Sequence, residues 1–430
     1  MRVLPGSRIR GTLQVPPDKS LSHRCLILGS LAEGKSVFWN LLPSADVAST
    51  RRVLKACGGN MTGDWNRMEV SRATFDKVEA HLDCGNSGTT VRLLSGVMAS
   101  FANRFGLQGD ASLSRRPMAR IAVPLAKMGA RFFDPSGKLL DPAAAQLPFS
   151  IQGSGKLQGI RWHNEKRSAQ VKSALLLAGL RSEGGTTVVE PVGSRDHTER
   201  LLQMMGALLS LHGNEVHLEP SILSPLEFSV PGDFSSASFF LALAACHPNA
   251  SLSLEGVNLN PTRTGFLQVL RQAGATIACT EQNGETEPRG SLQVHSGKMQ
   301  GICISSDQVP SMVDEIPLVA LLGVFAQGKT EVKGAGELRV KESDRITVLV
   351  QGLRNLGVEI HETDDGFWLE GPQAIRGGTA DACGDHRMAM LFSLCGCLSR
   401  EGVWVEGADS VSISYPSFFT HLEQICSGRG

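Results

Sequence analysis

The feature that most constrains this fold is one unit that occurs six times. Each copy runs from an apolar helix through a Gly- or Asn-containing turn to a strand, a polar loop and a second helix. Most copies then stop at a glycine. The copies begin near Ser22, Thr89, Ser168, Ser235, Met312 and Asp385. The first five stop at Gly58-Gly59, Gly129-Ala130, Gly206-Ala207, Gly274-Ala275 and Gly357. A spacing of roughly 65–80 residues is too long for a solenoid and suits a supersecondary unit that must share its apolar faces with neighbours. Strand-like stretches such as Met68–Val70, Leu226–Val230 and Gly301–Ile304 lie between copies. Six copies divide naturally into two groups of three, with the break at Val230-Pro231-Gly232-Asp233. The first fifteen residues alternate like a strand and are compatible with either group.

Two segments match the P-loop pattern, Gly29–Ser36 and Gly323–Thr330. A P-loop follows a strand and opens a helix, so that backbone N–H groups face the phosphates. Here an apolar helix precedes each match and a strand follows, Val37–Trp39 and Glu331–Lys333. The order is reversed, and both are read as helix-to-strand turns of the repeat.

The helix starts carry the chemistry. In LRVKESDR, Leu338–Arg345, Ser343 stands at a cap position, with Lys341 just before the helix and Arg345 in its first turn. A helix N-terminus is already partly positive, so cations there are misplaced by about 0.3–1 kcal/mol each unless an anion lies between them. The same grammar recurs four times. Lys19 and Arg24 flank a Ser20 cap. Arg92 follows Gly85–Thr89, where Ser87 and Thr89 are cap candidates. Ser168 and Gln170 open a third helix, and Asp385 and Arg387 a fourth. One such start reads as solvated surface charge; five read as a pocket for several anionic groups. The chain has 42 basic and 42 acidic residues, so no global field favours nucleic acid, and a small polyanion held locally fits better.

No run reaches the roughly 18 apolar residues of a membrane-spanning helix, and the N-terminus lacks the apolar core of a signal peptide. Ten cysteines are scattered without paired zinc-type spacing. Cys395-Gly-Cys397 with His386 reads as buried reduced thiols rather than a metal site. The expectation is a reducing cytoplasm, with no metal required.

Nine ordered motifs then carry a resemblance across nearly the whole chain. They are Asp18–Arg24, Asp83–Leu94, Ser112–Met118, Ser168–Leu180, Ser194–Arg200, Asn260–Arg263, Asp314–Pro317, Leu338–Arg345 and Asp385–Met390. The chain resembles the 5-enolpyruvylshikimate-3-phosphate synthases, the 3-phosphoshikimate 1-carboxyvinyltransferases. The resemblance implies an α/β (α+β) fold of two similar domains, each a pseudo-three-fold arrangement of three helix and strand repeats. It implies domains at residues 17–231 and at 1–16 plus 232–430, with the active site in the cleft between them. It also implies transfer of the enolpyruvyl group of phosphoenolpyruvate to the 5-hydroxyl of shikimate 3-phosphate, with release of phosphate. Neither metal nor organic cofactor is implied. The expected partners are those two substrates, with no nucleic acid and no membrane, and the expected state is a monomer.

Site residues carry over position by position. Lys19, Ser20 and Arg24 match the first substrate segment, with Lys19 reaching both substrates. Ser168, Ala169, Gln170 and Arg195 match contacts to shikimate 3-phosphate, and Gln170 also meets phosphoenolpyruvate. Gly88, Arg116, Arg345 and Arg387 match the phosphoenolpyruvate site, where an arginine fork suits carboxylate and phosphate. Asp314 matches the base at the 5-hydroxyl, with Lys341 beside it; Glu342 and Lys19 are both candidates for the proton at the methylene. In the family, glyphosate competes with phosphoenolpyruvate, and a methyl group at the position of Gly88 narrows its space. Three departures stand out: Pro16-Pro17 at a crossover, Lys166-Arg167 before Ser168, and Gly384 before the Asp-His-Arg motif. None removes a proposed catalytic group.

Two other readings fit the chain less well. The sister transferase acting on UDP-N-acetylglucosamine usually carries a reactive Cys in a Gly-Gly-Cys loop; here the region is Gly109-Asp110-Ala111, and Ser20 replaces the sister's Asn. A non-catalytic anion-binding protein would have no reason to keep Lys19, Asp314, Lys341, Glu342 and Arg345 together.

Overall fold

The structure, a computed structural model, describes residues 1–76, 81–282 and 286–427. Each of the six copies begins with a buried helix: α1 (Lys19–Gly29), α2 (Gly88–Ala99), α3 (Ala169–Gly179), α4 (Phe234–Cys246), α5 (Ile316–Phe325) and α6 (His386–Leu398). Every residue of α4 is buried, and so is every residue of α5 but its last. A helix that is apolar on all sides has no face to offer water and must be enclosed. The second helix of each copy is amphipathic instead. Gly265–Gln272 buries Phe266, Leu267, Val269 and Leu270 and exposes Gln268 and Arg271.

Each copy also builds a small sheet. The strand after the buried helix lies inside it, paired parallel with an edge strand on one side. In five sheets its other neighbour is the second strand of a hairpin. In the sixth, around Val403–Glu406, the two-residue strand Arg2–Val3 takes that place. Four edge strands come directly before their own helix. Leu82–Asp83, Arg161–His163, Cys303–Ile304 and Gly378–Asp381 make local parallel crossovers through α2, α3, α5 and α6.

The remaining two edge strands are exchanged. Ile9–Gln14 precedes α1 but pairs with Ala250–Asn258, which follows α4. Glu227–Ser229 precedes α4 but pairs with Lys35–Trp39, which follows α1. The chain accordingly separates into two compact units, residues 17–230 and residues 1–16 with 231–430, each with its own apolar core. The opening strand belongs to the second of these. Both P-loop look-alikes run from the end of a helix (α1, α5) into a strand, Lys35–Trp39 and Gly328–Val332.

Among the described residues no helix is long and apolar enough to cross a membrane, and no group of three or more His, Cys, Asp or Glu side chains is arranged to hold a metal ion. Cys395 and Cys397 are buried, and the Cys397 thiol lies 3.8 Å from that of Cys426.

In the first unit α2 and α3 touch backbone to backbone at Gly96. A Cβ there would lie 2.1 Å from the Ala174 carbonyl oxygen and 2.8 Å from its Cα. Neither helix backbone can give way cheaply. Gly96→Ala gains roughly 1 kcal/mol of helix propensity, yet overpacking against backbone costs about 1–3 kcal/mol or more. The variant should be less stable than the wild type, with a lower urea midpoint at unchanged slope.

Candidate active site

The charged side chains of the buried helices lie in their first two turns, and the later turns are mostly apolar. In the first unit α1 is capped by Asp18, whose carboxylate accepts the Leu21 N–H at 2.8 Å. The expected cap, Ser20, lies inside the helix, because a carboxylate one residue before Lys19 reaches the unpaired N–H first. Lys19 donates to Asp46 at 3.1 Å. Arg24 is buried and held on three sides: Nε donates to Thr198 (2.7 Å), Nη2 to Ser173 (2.9 Å) and Nη1 to the Ser20 carbonyl (2.9 Å).

At α2, Ser87 is the cap, and Thr89 does other work by accepting from Gln170 Nε2 at 3.0 Å. Gln170 Oε1 in turn accepts from Arg92 at 2.6 Å. Arg116 donates to Asn86 and is buried. Gly88 lies under both guanidiniums: a Cβ there would meet Arg92 Nη1 at 3.1 Å and Arg116 Nη1 at 3.4 Å. Ser168 caps α3, with Ala169 as its first residue. So Gly88, Arg116 and Gln170 are brought together around Arg92. That arginine was visible as a cation one turn into a helix but was not among the expected site residues. Its burial and its bond to Gln170 are what mark it.

The second unit gathers a denser set. Arg345 is 1% exposed. Nε donates to Asp385 at 2.7 Å, Nη2 to Glu342 at 2.5 Å and Nη1 to Asp314 at 3.5 Å. Burial opposes the charge on that guanidinium, but three carboxylates outweigh it and keep Arg345 firmly protonated. Burial likewise opposes the Asp385 charge, and Arg345 overrides it, holding the carboxyl below the usual range. Arg387 donates to Ser235 at 2.7 Å and lies 3.7 Å from Asp314 Oδ2. Arg263, from the Asn260–Arg263 motif, is buried 3.9 Å from Asp314 Oδ2 and 3.6 Å from Asp233, the α4 cap. Asp314 is thus a partly exposed carboxylate ringed by three guanidiniums.

The cap before Arg345 is Asp344, which accepts the Thr347 N–H at 3.1 Å, and not Ser343. Ser343 is drawn off to Asp385 at 3.2 Å. Lys341 pairs with Glu337 at 3.1 Å, and Arg263, Arg345 and Arg387 lie within 4 Å of Asp314. Asp385 caps α6 as expected. Arg195 lies half-buried just before the helix His197–Met204. Chemically, the first unit offers cations and amide or hydroxyl donors suited to anionic groups. The second offers a fixed carboxylate able to take a proton, beside guanidiniums able to meet phosphate or carboxylate.

Comparison with known proteins agrees in one direction. The family model for EPSP synthase (3-phosphoshikimate 1-carboxyvinyltransferase) matches residues 3–422. A 3-phosphoshikimate 1-carboxyvinyltransferase of Thermotoga neapolitana is 49% identical over 428 residues, covering 99% of each chain. One from Persephonella marina is 45% identical over 431 residues, covering 98% of each. A solved EPSP synthase from Acinetobacter baumannii superimposes with a TM-score of 0.84 at 36% identity, covering 99% of this chain and 97% of that one. The enolpyruvyl transferase NikO from Streptomyces tendae shares the fold at 14% identity, with a TM-score of 0.80 over 99% and 96% of the two chains.

One buried group in the first cluster has a pH consequence. His23 lies inside α1 with its Nδ1 2.7 Å from Thr50 Oγ1. Burial first, then Lys19 and Arg24, hold its imidazole well below the usual histidine value. The unfolded chain takes a proton at His23 below about pH 6.5, and the folded chain does not until lower pH. This contribution to stability is complete above about pH 6.5 and is lost as pH falls, by at most about 1.4 kcal/mol per pH unit. His23→Gln should flatten the acid limb of a urea-stability profile. A limb of unchanged slope would assign it to other groups.

Proposed function

The chain belongs to the EPSP synthase family, the 3-phosphoshikimate 1-carboxyvinyltransferases, and from that premise we propose how its own residues divide the reaction. The reaction joins the enolpyruvyl group of phosphoenolpyruvate to the 5-hydroxyl of shikimate 3-phosphate and releases phosphate. Relatives of that name at 45–49% identity favour this substrate pair over a UDP-sugar acceptor.

The observation that carries the assignment is Asp314, a partly exposed carboxylate held among Arg263, Arg345 and Arg387. Asp314 takes the 5-hydroxyl proton as the oxygen attacks the enol carbon. A proton is added to the methylene, by Glu342 or Lys19, and a tetrahedral intermediate forms. Elimination returns the methyl proton to the group that gave it and breaks the carbon–oxygen bond to phosphate, which departs with the proton held by Asp314. Arg116, Arg345 and Arg387, with Gly88 and Gln170, receive phosphoenolpyruvate, and their charge stabilises the departing phosphate. Lys19, Ser20, Arg24, Ser168, Ala169, Gln170, Arg195 and Lys341 hold shikimate 3-phosphate. Each substrate carries a phosphate and a carboxylate, which accounts for the number of cations gathered at the helix starts. The ion pairs of Arg345 with Glu342 and Asp314 are the contacts an incoming anion must exchange for its own. The same reading makes the protein a cytoplasmic monomer working on small molecules, with neither metal nor organic cofactor.

Purified protein given both substrates should release phosphate without added metal. Release only with UDP-N-acetylglucosamine as acceptor would overturn the assignment. Asp314→Asn should fold and bind both substrates while losing about 10²–10⁴-fold in turnover, the usual worth of a positioned acid–base group.

Gly88→Ala gives a finer check. Its methyl group would lie 3.1 Å from the tip of Arg92, tighter than an ordinary contact, and 3.4 Å from that of Arg116. The variant should weaken competitive inhibition by glyphosate more than it raises the KM for phosphoenolpyruvate. An unchanged inhibition constant would remove Gly88 from the inhibitor's surroundings.

A further inference from the structure

Behind the first cluster lies a buried charge network with no part in the chemistry above. Lys172, in the first turns of α3, is 2% exposed. Its ammonium meets Glu199 Oε1 at 2.7 Å, Glu190 Oε2 at 2.9 Å and the Ser194 carbonyl at 3.1 Å. A buried cation near a helix start is costly twice over, through lost hydration and through the helix dipole. Such a group is poor value as a stabiliser, and its position is better explained by what it holds.

What it holds is two loops. Glu190 accepts the Ser194 N–H at 2.8 Å and the Ser194 hydroxyl at 2.8 Å, which fixes the turn from residue 190 to residue 194, directly before Arg195. The same carboxylate accepts from Asn164 Nδ2 at 2.6 Å. Asn164 Nδ2 also donates to the Ser168 carbonyl at 3.0 Å, and its Oδ1 accepts the Ser168 N–H at 3.4 Å. One carboxylate, anchored by one ammonium, therefore sets both the cap of α3 and the residue before Arg195. These segments are 26 residues apart in sequence.

We infer that Lys172, Glu190 and Asn164 are positioning residues that set Ser168 and Arg195 as a pair for the phosphate of shikimate 3-phosphate. The inference rests on the assignment of those two residues to that substrate. Glu199 serves differently. It meets Lys172 and bonds to neither loop; burial raises its carboxyl above the usual range despite the pull of Lys172.

The test uses three variants of the full chain, with KM measured for each substrate. Lys172→Met would leave two carboxylates facing each other and is avoided. Glu190→Gln keeps the shape and leaves Lys172 paired with Glu199. Its amide cannot accept from Asn164, Ser194 and Lys172 together, so the loops lose their common anchor. The KM for shikimate 3-phosphate should rise about tenfold or more, the size of a lost charged hydrogen bond, with the KM for phosphoenolpyruvate changed less than about threefold. Glu199→Gln should lower thermal stability and leave both KM values within about twofold. Equal changes in the two KM values of Glu190→Gln, or the same pattern in Glu199→Gln, would reduce the network to a structural role and overturn the inference. Arg195→Ala separates the inference from its premise. A rise in the shikimate 3-phosphate KM there, with none in Glu190→Gln, rejects the positioning role alone. No rise in either rejects the substrate assignment and the inference with it.

Discussion

A helix apolar on every side can be stable in water only if it is enclosed, and this chain contains helices of that kind at regular intervals. Enclosing α4 and α5 leaves no lateral position for a charge. Polar chemistry is thereby driven to the helix starts, where unpaired N–H groups already need acceptors. The caps Asp18, Ser87, Ser168, Asp233 and Asp385 are the direct result. Cations follow the caps because carboxylates and anions are there to meet them. The gathering of charged side chains at these starts is a consequence of burying the helices.

The two units solve the charge problem differently. In the first, Arg24 donates to the hydroxyls of Thr198 and Ser173, and Arg92 donates to the amide oxygen of Gln170. In the second, Arg345 and Arg387 lie against carboxylates. A cation met by hydroxyls and amides keeps more of its field for an incoming anion. A cation met by carboxylates must exchange partners before it can meet an anion from outside. Lys172 is a third case, a buried cation held by Glu190, Glu199 and the Ser194 carbonyl.

The exchanged strands show how far local sequence reaches. Ile9–Gln14 and Glu227–Ser229 each lead into a buried helix like the other edge strands, and nothing in their alternation says which sheet they join. Register with Ala250–Asn258 or Lys35–Trp39 is decided by which unit lacks an edge. That is a property of the assembled sheet. The helix-to-strand reading of Gly29–Ser36 and Gly323–Thr330, in contrast, needed only the order of neighbouring elements.

Periodicity and turn chemistry alone determined the six buried helices, the amphipathic second helices and the collection of cations at helix starts, because each depends on residues within one or two turns. The ordered motifs carried the family for the same reason: they are contiguous. Tertiary structure decided the partners. Ser343 occupies a cap position by local rules, yet Asp385, 42 residues away, claims its hydroxyl and leaves Asp344 as the cap. Arg24 meets Thr198 across 174 residues, and Arg387 meets Ser235 across 152. Arg92, Arg263 and Lys172 stand out only in the folded chain, where each is buried. A charge's role is set by what replaces its hydration, and that is supplied by segments distant in the chain.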